Sequence, residues 1–313
     1  MTSALGRGAV KIVVAPDSGC LLHFPEDTLI AERAALACGL QARAIERHRF
    51  PDGELRLKLP EVLLARVVVW RTLNDPNEKL VELLLVAQAA RELGAQHLTL
   101  VVPYLAYMRQ DIAFHPGEVV SQRIVGRFLA DLFDAVITVD PHLHRVAALR
   151  EAVPVADAVV LSGAPVLADW VHSQRSDVVL IGSDEESLQR VVQAAAPHGW
   201  DHAVCRKQRH GDCAVSIELP ALAVHGRAVV LMDDVASSGH TLAQAARALL
   251  AAGADSVDVA VTHALFAEGA LALVKDAGVG EVWSTDCIVH ATSVVSIVPL
   301  VAEAWMRLHA SSG

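Results

Sequence analysis

The amino-acid sequence predicts an α/β protein with two tandem units, each a mainly parallel sheet flanked by helices. Two observations lead to this fold class. Short apolar runs rich in Val and Ile alternate with longer segments of helical periodicity, which is the pattern of parallel strands buried under helices. The chain has 313 residues, of which 53% are hydrophobic, and this is enough material for about two cores.

The first half of the sequence contains four of these apolar runs, and helical patterns separate them. Each run is short and ends in polar or turn-forming residues, as strands of a buried sheet do. We predict strands at 10–15, 67–71, 98–102 and 135–140, with helices near 27–38, 76–93 and 121–132.

The second half has a similar order of elements, although no repeat of sequence accompanies it. We predict strands at 178–182, 202–206, 228–233, 257–262 and 281–285, with helices near 186–196, 241–252, 268–277 and 296–309. Between the halves, residues 152–165 contain two prolines and show weak periodicity, which favours a boundary there. The predicted division is an N-terminal unit at 8–152 and a C-terminal unit at 153–313.

Charge and composition exclude several classes of function. The formal net charge of -10 would repel nucleic acid, so a small phosphorylated ligand held by local cations fits better. No uncharged apolar run reaches the ~18 residues of a membrane span, and Lys11 interrupts the apolar stretch that a signal peptide would need. The five cysteines form no C-x-x-C pair and are expected to be reduced. We therefore expect a cytoplasmic protein without nucleic-acid or membrane partners.

The stretch VVLMDDVASSGHTL, residues 229–242, joins a predicted strand to a predicted helix. Carboxyl ends of parallel strands face the ligand crevice, so the residues that follow the strand are candidates for binding. Small and hydroxyl residues at a helix N-terminus suit a phosphate, whereas Asp233 and Asp234 suit sugar hydroxyls or a divalent cation. The nucleotide-binding pattern G-x-x-x-x-G-K-[ST] is absent. The alternative is that the two acids only cap the next helix.

The same stretch resembles the phosphoribosyl pyrophosphate (PRPP) binding motif of the ribose-phosphate pyrophosphokinase family, also called PRPP synthetases, and of phosphoribosyltransferases. Segments of the first half resemble the synthetases alone, and they occur in the synthetase order over about 50–300: RFPDGELRLKLPE, NEKLVELLLVAQAARELGA, VPYLAYMRQD, GEVVSQ and ITVDPHLHR. The short spacing after residue 210 is more similar to archaeal-type than to classical bacterial members.

The resemblance implies two phosphoribosyltransferase-like domains, ATP on the N-terminal side and ribose 5-phosphate on the C-terminal side. The family transfers the diphosphoryl group of ATP to the C1 hydroxyl of ribose 5-phosphate, giving PRPP and AMP for nucleotide, histidine and tryptophan biosynthesis. It uses Mg2+, and Mn2+ is a possible substitute. The resemblance also implies a homo-oligomer, a dimer or larger, because the FPDGE segment of the family reaches the adenine pocket of a neighbouring subunit.

The site residues implied by the resemblance fall into four groups. Those for ATP are Phe50, Asp52, Glu54, Arg109 and Gln110. Those for ribose 5-phosphate are Asp233, Asp234, Ser237, Ser238, Gly239, His240 and Thr241. The metal ligands are His142 and Asp184, and the catalytic cations, which open a flexible loop with residues 211–213 at its tip, are Lys207 and Arg209.

These residues also have plainer interpretations, and the chain departs from the family pattern in places. Lys207 and Arg209 could be solvated cations at a strand end, and His142 with His144 is weak evidence for zinc. Ser237 replaces an acid found in many synthetases, and His240 stands where glycine is usual. Glu185 and Glu186 replace a small turn, which could retune metal affinity. A relative that acts on another sugar phosphate, or a catalytically silent regulatory subunit, therefore remains an alternative.

Overall fold

The computed structural model describes residues 19–210 and 214–310 and contains two six-stranded parallel sheets. The strands of the first sheet are β1 (Cys20–His23), β2 (Gln41–Ala44), β5 (Arg66–Trp70), β6 (His97–Val102), β7 (Ala135–Val139) and β8 (Asp157–Leu161). Those of the second are β9 (Val179–Gly182), β10 (His202–Val204), β13 (Ala228–Ala236), β14 (Ser256–Ala264), β15 (Val282–Thr285) and β16 (Ser293–Val295). The strand orders are β2-β1-β5-β6-β7-β8 and β10-β9-β13-β14-β15-β16. Both confirm the predicted fold class.

Two antiparallel hairpins lie outside these sheets. β3 (Glu46–Arg49) pairs with β4 (Leu55–Lys58), and β11 (Arg206–His210) pairs with β12 (Ala214–Glu218). The helices are α1 (Thr28–Cys38), α2 (Pro76–Glu92), α3 (Ser121–Leu132), α4 (Leu149–Ala152), α5 (Ala164–Gln174), α6 (Leu188–Ala195), α7 (His240–Ala251), α8 (Ala270–Asp276) and α9 (Val298–Ala310). Among the described residues, no helix is long and apolar enough to cross a bilayer.

The central strands of both sheets are apolar because they are covered on both faces. In β5, Val67 and Val69 pack into one cluster and Val68 and Trp70 into another, as the two-residue period of a strand requires. β13 shows the same alternation, with Leu231 on one side and Val230 on the other. This burial explains why these strands were predictable as continuous apolar runs.

Most predicted elements agree with the structure to within a few residues, but several elements were not predicted. The predicted strand at 10–15 lies outside the described residues. The stretch predicted as a boundary contains β8, an edge strand with mixed exposure, and the start of α5, where Pro165 occupies the first turn. Proline suits the first turn of a helix, so its presence there did not indicate a loop.

The chain does not divide between the two sheets at a single position. β8 pairs with β7, so sheet membership changes between Leu161 and Val179. At the other end, α9 packs on α1, and Trp305 is buried in the same cluster as Ile30 and Trp70. The domain division at 152/153 stays a prediction. The last helix, α9, packs against the first sheet although it follows the second in sequence.

Candidate active site

A cavity of about 320 Å³ lies where the two units meet, at the carboxyl ends of their parallel strands. One part of its wall is residues 233–239, which end β13 and lead into α7, and we call residues 233–241 the Asp-Asp loop. His142 lines it from the segment after β7, Asp184 from the segment after β9, and Arg109 from the segment after β6. Parallel strands therefore bring together side chains that are far apart in sequence.

Gly239 gives the Asp-Asp loop its shape. Its φ is 76°, in the left-handed region that favours glycine. A Cβ at this position would lie 2.9 Å from the carbonyl oxygen of Ala270. Helix α7 begins at His240, directly after this glycine, so its N-terminus lies beside the cavity. Backbone N–H groups in this place can bind an anion.

The departure at His240 causes no backbone strain, because the left-handed conformation falls on Gly239. His240 is the first helical residue and is exposed, and it is not among the described residues that line the cavity. Ser237, Ser238 and Thr241 do line the cavity. The loop therefore contributes to the wall as the sequence indicated, except at His240.

The two aspartates of the loop lie in different electrostatic surroundings. Asp233 accepts a short hydrogen bond from the Ser183 hydroxyl and another from the Asp234 N–H at 2.8 Å. Burial and the neighbouring Asp234 charge raise the pKa of Asp233 well above its ordinary value. Burial also opposes ionisation of Asp234, but the hydrogen bond from His142 and the charge of Arg190 outweigh it, so the pKa of Asp234 is lowered. Asp234 is therefore the carboxylate that holds the negative charge.

His142 connects the first unit to the Asp-Asp loop. Its Nδ1 lies 2.9 Å from an Asp234 carboxylate oxygen, and Arg190 approaches the same oxygen at 3.5 Å. Donation from Nδ1 leaves the lone pair of the ring on Nε2, the tautomer that a metal ligand needs. With Asp184 on the same cavity wall, the donor set of one imidazole and carboxylates fits a divalent cation.

A hydrogen-bonded seam between β7 and β14 fixes the position of His142. Asp140, two residues before it, has a φ of 36° and accepts hydrogen bonds from the Thr262 hydroxyl at 2.7 Å and the Gly163 N–H at 2.9 Å. The buried His263 donates from Nε2 to the Val139 carbonyl at 3.0 Å. Burial lowers the pKa of His263, which keeps its ring neutral. Sequence analysis missed Thr262 and His263, whose signal was polar residues near the end of an apolar strand.

The ATP residues predicted near Arg109 are only partly on the cavity. Arg109 lines it, whereas the Gln110 side chain donates to the Ile112 carbonyl at 2.9 Å. The preceding segment is held by Tyr107, which has a φ of 64° and makes a short hydrogen bond to Asn77 at the start of α2. The structure therefore brings Arg109 to the loop acids but turns Gln110 to its own backbone.

Phe50, Asp52 and Glu54 lie together at the turn of the β3–β4 hairpin. Phe50 packs edge-on against His48 and remains 38% exposed, and the Glu54 N–H donates to Asp52 at 3.1 Å. None of the described residues that line the cavity belongs to this hairpin. Within one chain, the structure does not bring these three residues to the Asp-Asp loop.

Lys207 and Arg209 lie on β11 of the second hairpin. Their backbone partners across the ladder are Ile217 and Val215. The predicted strand at 202–206 is thus split into β10 and β11, and the segment predicted as a flexible loop begins as a paired hairpin. The tip predicted to be mobile, residues 211–213, lies outside the described residues, and the catalytic role of the two cations stays a prediction.

Two family models match the chain. The N-terminal domain of ribose phosphate pyrophosphokinase matches residues 20–132, and the phosphoribosyl transferase domain matches residues 146–297. The chain belongs to the ribose-phosphate pyrophosphokinase family. The ribose-phosphate pyrophosphokinase of Methanopyrus kandleri is 36% identical over 91% of this chain and 97% of its own length. Ribose-phosphate pyrophosphokinase 2 of Archaeoglobus fulgidus is 35% identical over 90% and 98%.

A solved structure agrees with the fold. The phosphoribosylpyrophosphate synthetase from Mycobacterium smegmatis superposes with a TM-score of 0.78 and covers 94% of this chain and 100% of its own, at 23% identity. The family predicted from the sequence is confirmed, and the similarity to archaeal members agrees with relatives from archaea at 32–36% identity. The individual site residues remain predictions, because family membership does not test them one by one.

Proposed function

We propose that this member of the ribose-phosphate pyrophosphokinase family transfers the diphosphoryl group of ATP to the C1 hydroxyl of ribose 5-phosphate, giving PRPP and AMP. The observation that supports this most directly is the shared cavity. It combines the Asp-Asp loop of the second sheet with Arg109 and His142 of the first unit. A sugar-phosphate site and a cation-bearing site are thereby adjacent, as a transfer between two substrates requires.

Ribose 5-phosphate would bind to the Asp-Asp loop in one orientation. Its 5-phosphate would lie at the start of α7, where Ser238 and Thr241 offer hydroxyls and the helix N-terminus is partly positive. The charge on Asp234 would repel a phosphate, and both acids would instead form hydrogen bonds with the 2- and 3-hydroxyls. The partly positive N-terminus of α7 and the negative acids therefore determine which end of the sugar faces ATP.

ATP and a divalent cation would occupy the other side of the cavity. His142 and Asp184 would hold Mg2+ or Mn2+, which neutralises phosphate charge when bound. Arg109 would contact the phosphates. Since Phe50, Asp52 and Glu54 lie on a separate hairpin, we propose that they serve the adenine site of a second copy in a homo-oligomer.

Lys207 and Arg209 would complete the site from the β11–β12 hairpin. Diphosphoryl transfer spreads negative charge over the equatorial oxygens and the leaving AMP, so cations delivered at that moment stabilise the transition state. A hairpin that closes over the substrates would also exclude water, which competes for the diphosphoryl group.

The direct test uses ATP labelled in the γ-phosphate together with Mg2+ and ribose 5-phosphate. Transfer of a diphosphoryl group moves the label to PRPP and releases unlabelled AMP, whereas a monophosphoryl transfer would release ADP. Absence of both products would contradict the proposal and favour a regulatory subunit.

A second candidate, a transferase for another sugar phosphate, has one observation in its favour. Ser237 lines the cavity, and it stands where the family resemblance leads us to expect an acid. Assaying a panel of pentose and hexose phosphates as acceptors would separate the two. A higher kcat/KM for an acceptor other than ribose 5-phosphate would support this alternative.

A further inference from the structure

A group of metal-ligating side chains lies beside the cavity of the candidate active site, and two of its three members, His144 and Glu186, have no part in the proposed reaction. His142, His144 and Glu186 each place one ligand atom within 4.8 Å of the other two. His144 follows β7, and Glu186 lies in the short 3-10 turn after β9, so the group bridges the two sheets. His144 Nδ1 lies 2.7 Å from a Glu186 carboxylate oxygen.

The space around this group suits a small cation. A cavity of about 70 Å³ is lined by both histidines and Glu186, and its wall also includes Asp184, Asp233, Asp234 and Arg190. Among these lining residues the carboxylates outnumber the one guanidinium, so the cavity favours a positive ion. Arg190 is already paired with Asp234 at 3.5 Å, which reduces its opposition to a cation.

The chemistry of the donors selects the kind of ion. Mg2+ prefers an octahedron of oxygen ligands, whereas imidazole nitrogen suits first-row transition metals. Two imidazoles and one carboxylate therefore favour Mn2+, Co2+ or Zn2+ over Mg2+. The two rings meet edge to face, with centroids 4.0 Å apart. The Asp234 carboxylate on Nδ1 of His142 orients that ring as an outer partner of a metal-bound histidine does.

We propose that His144 and Glu186, together with His142, form a site for a first-row transition metal ion. The site extends the proposed function because a cation bound there would lie next to the substrates and set the metal preference of the enzyme. It rests on that function only for this consequence, since the binding itself needs neither ATP nor ribose 5-phosphate.

Metal binding to the full chain, after removal of metal with a chelator, tests the site without reference to activity. Co2+ should bind with a visible ligand-field absorption band, excess Mg2+ should not displace it, and bound Mn2+ should show coupling to nitrogen in its electron paramagnetic resonance spectrum. Glu186→Gln and His144→Gln should each weaken Co2+ binding by about tenfold or more.

The matched control is Glu185→Gln. Glu185 is the adjacent acid of the same turn, but it pairs with Arg206 at 3.2 Å and is not part of the group. This variant should bind Co2+ as the wild type does. Thermal unfolding of each variant checks the fold. If His144→Gln does not fold, Glu186→Gln decides alone, because the Glu186 side chain is 60% exposed and its change keeps the shape.

Two results would overturn the inference: Mn2+ without nitrogen coupling, or Glu186→Gln with wild-type Co2+ affinity. PRPP formation with Mg2+, measured on the same samples, keeps the two proposals separate. Nitrogen-coupled metal without PRPP formation would contradict only the proposed function. PRPP formation by a chain whose Glu186→Gln and His144→Gln variants bind Co2+ as the wild type does would contradict only the inference.

Discussion

The Asp-Asp loop and the β3–β4 hairpin differ in how far one chain completes the site that each would form. In the loop, Gly239 is pressed against the Ala270 carbonyl, and both acids have hydrogen-bond partners around a formed cavity. On the hairpin, Phe50 and residues 51–54 are exposed, and none of them is among the described residues that line that cavity. The comparison indicates that the proposed sugar-phosphate site is pre-organised, whereas the proposed nucleotide site would need elements from a second copy.

The largest expected effect tests the proposed catalytic role of the β11–β12 hairpin. Lys207→Ala should lower kcat by about 10²–10³, or ~2.7–4 kcal/mol, because loss of one preorganised donor to the transition state typically costs this much. Ribose 5-phosphate binding, measured by calorimetry, should be unchanged. Lys275→Ala on α8 is the matched surface control. Wild-type kcat in Lys207→Ala would mean that the hairpin is not catalytic.

A mixing experiment asks whether the β3–β4 hairpin completes a neighbouring site. Asp52→Ala and Lys207→Ala chains should each be nearly inactive, yet equal mixtures, unfolded and refolded together, should recover activity in hybrid assemblies. Recovery follows because one of the sites in a hybrid then receives both intact residues. Size-exclusion chromatography with light scattering checks that oligomers form. A fully active monomer would contradict the shared site.

The pre-organised loop can be distorted at a single residue. Gly239→Ala should weaken ribose 5-phosphate binding by about 1–3 kcal/mol, since the left-handed φ is strained for alanine and its Cβ would press on the Ala270 carbonyl. Gly269→Ala is the control, because Gly269 precedes α8 with a nearly identical φ of 77°, but no atom of the described part of the chain lies within 4 Å of an added Cβ. Calorimetry of ribose 5-phosphate binding to both variants should separate the effect of the contact with the Ala270 carbonyl from that of backbone strain. Equal losses of affinity would show that this contact does not matter for binding.

The smallest effect concerns the seam that holds the two units together. Thr262→Val removes the hydrogen bond that the Thr262 hydroxyl donates to the Asp140 carboxylate. This change should lower the free energy of unfolding by about 1–3 kcal/mol. It should also weaken Mn2+ binding slightly, because Asp140 positions the segment that contains His142. Thr99→Val is the control, since the buried Thr99 hydroxyl has no hydrogen-bond partner among the described residues and its loss should not destabilise the protein. Denaturant unfolding that ranks the two variants equally would argue against the seam.

The sequence by itself determined the fold class, the family and the residues of the Asp-Asp loop. Buried parallel strands must be apolar along their whole length, and ligand residues follow them directly, so both are visible in local sequence. The family resemblance implied Asp184 and His142 as site residues, and the structure places both on the cavity with Arg109.

Only the tertiary structure decided how these pieces meet. β8 was missed although it contains the apolar run 158–161, because Pro154 and Pro165 on either side of it indicated a boundary. The last helix, α9, joins the first sheet through packing that no local pattern encodes. The different states of Asp233 and Asp234 depend on Ser183, Arg190 and His142, which come from three separate segments. Charge and metal preference are set by distances between such segments, and a linear sequence does not contain those distances.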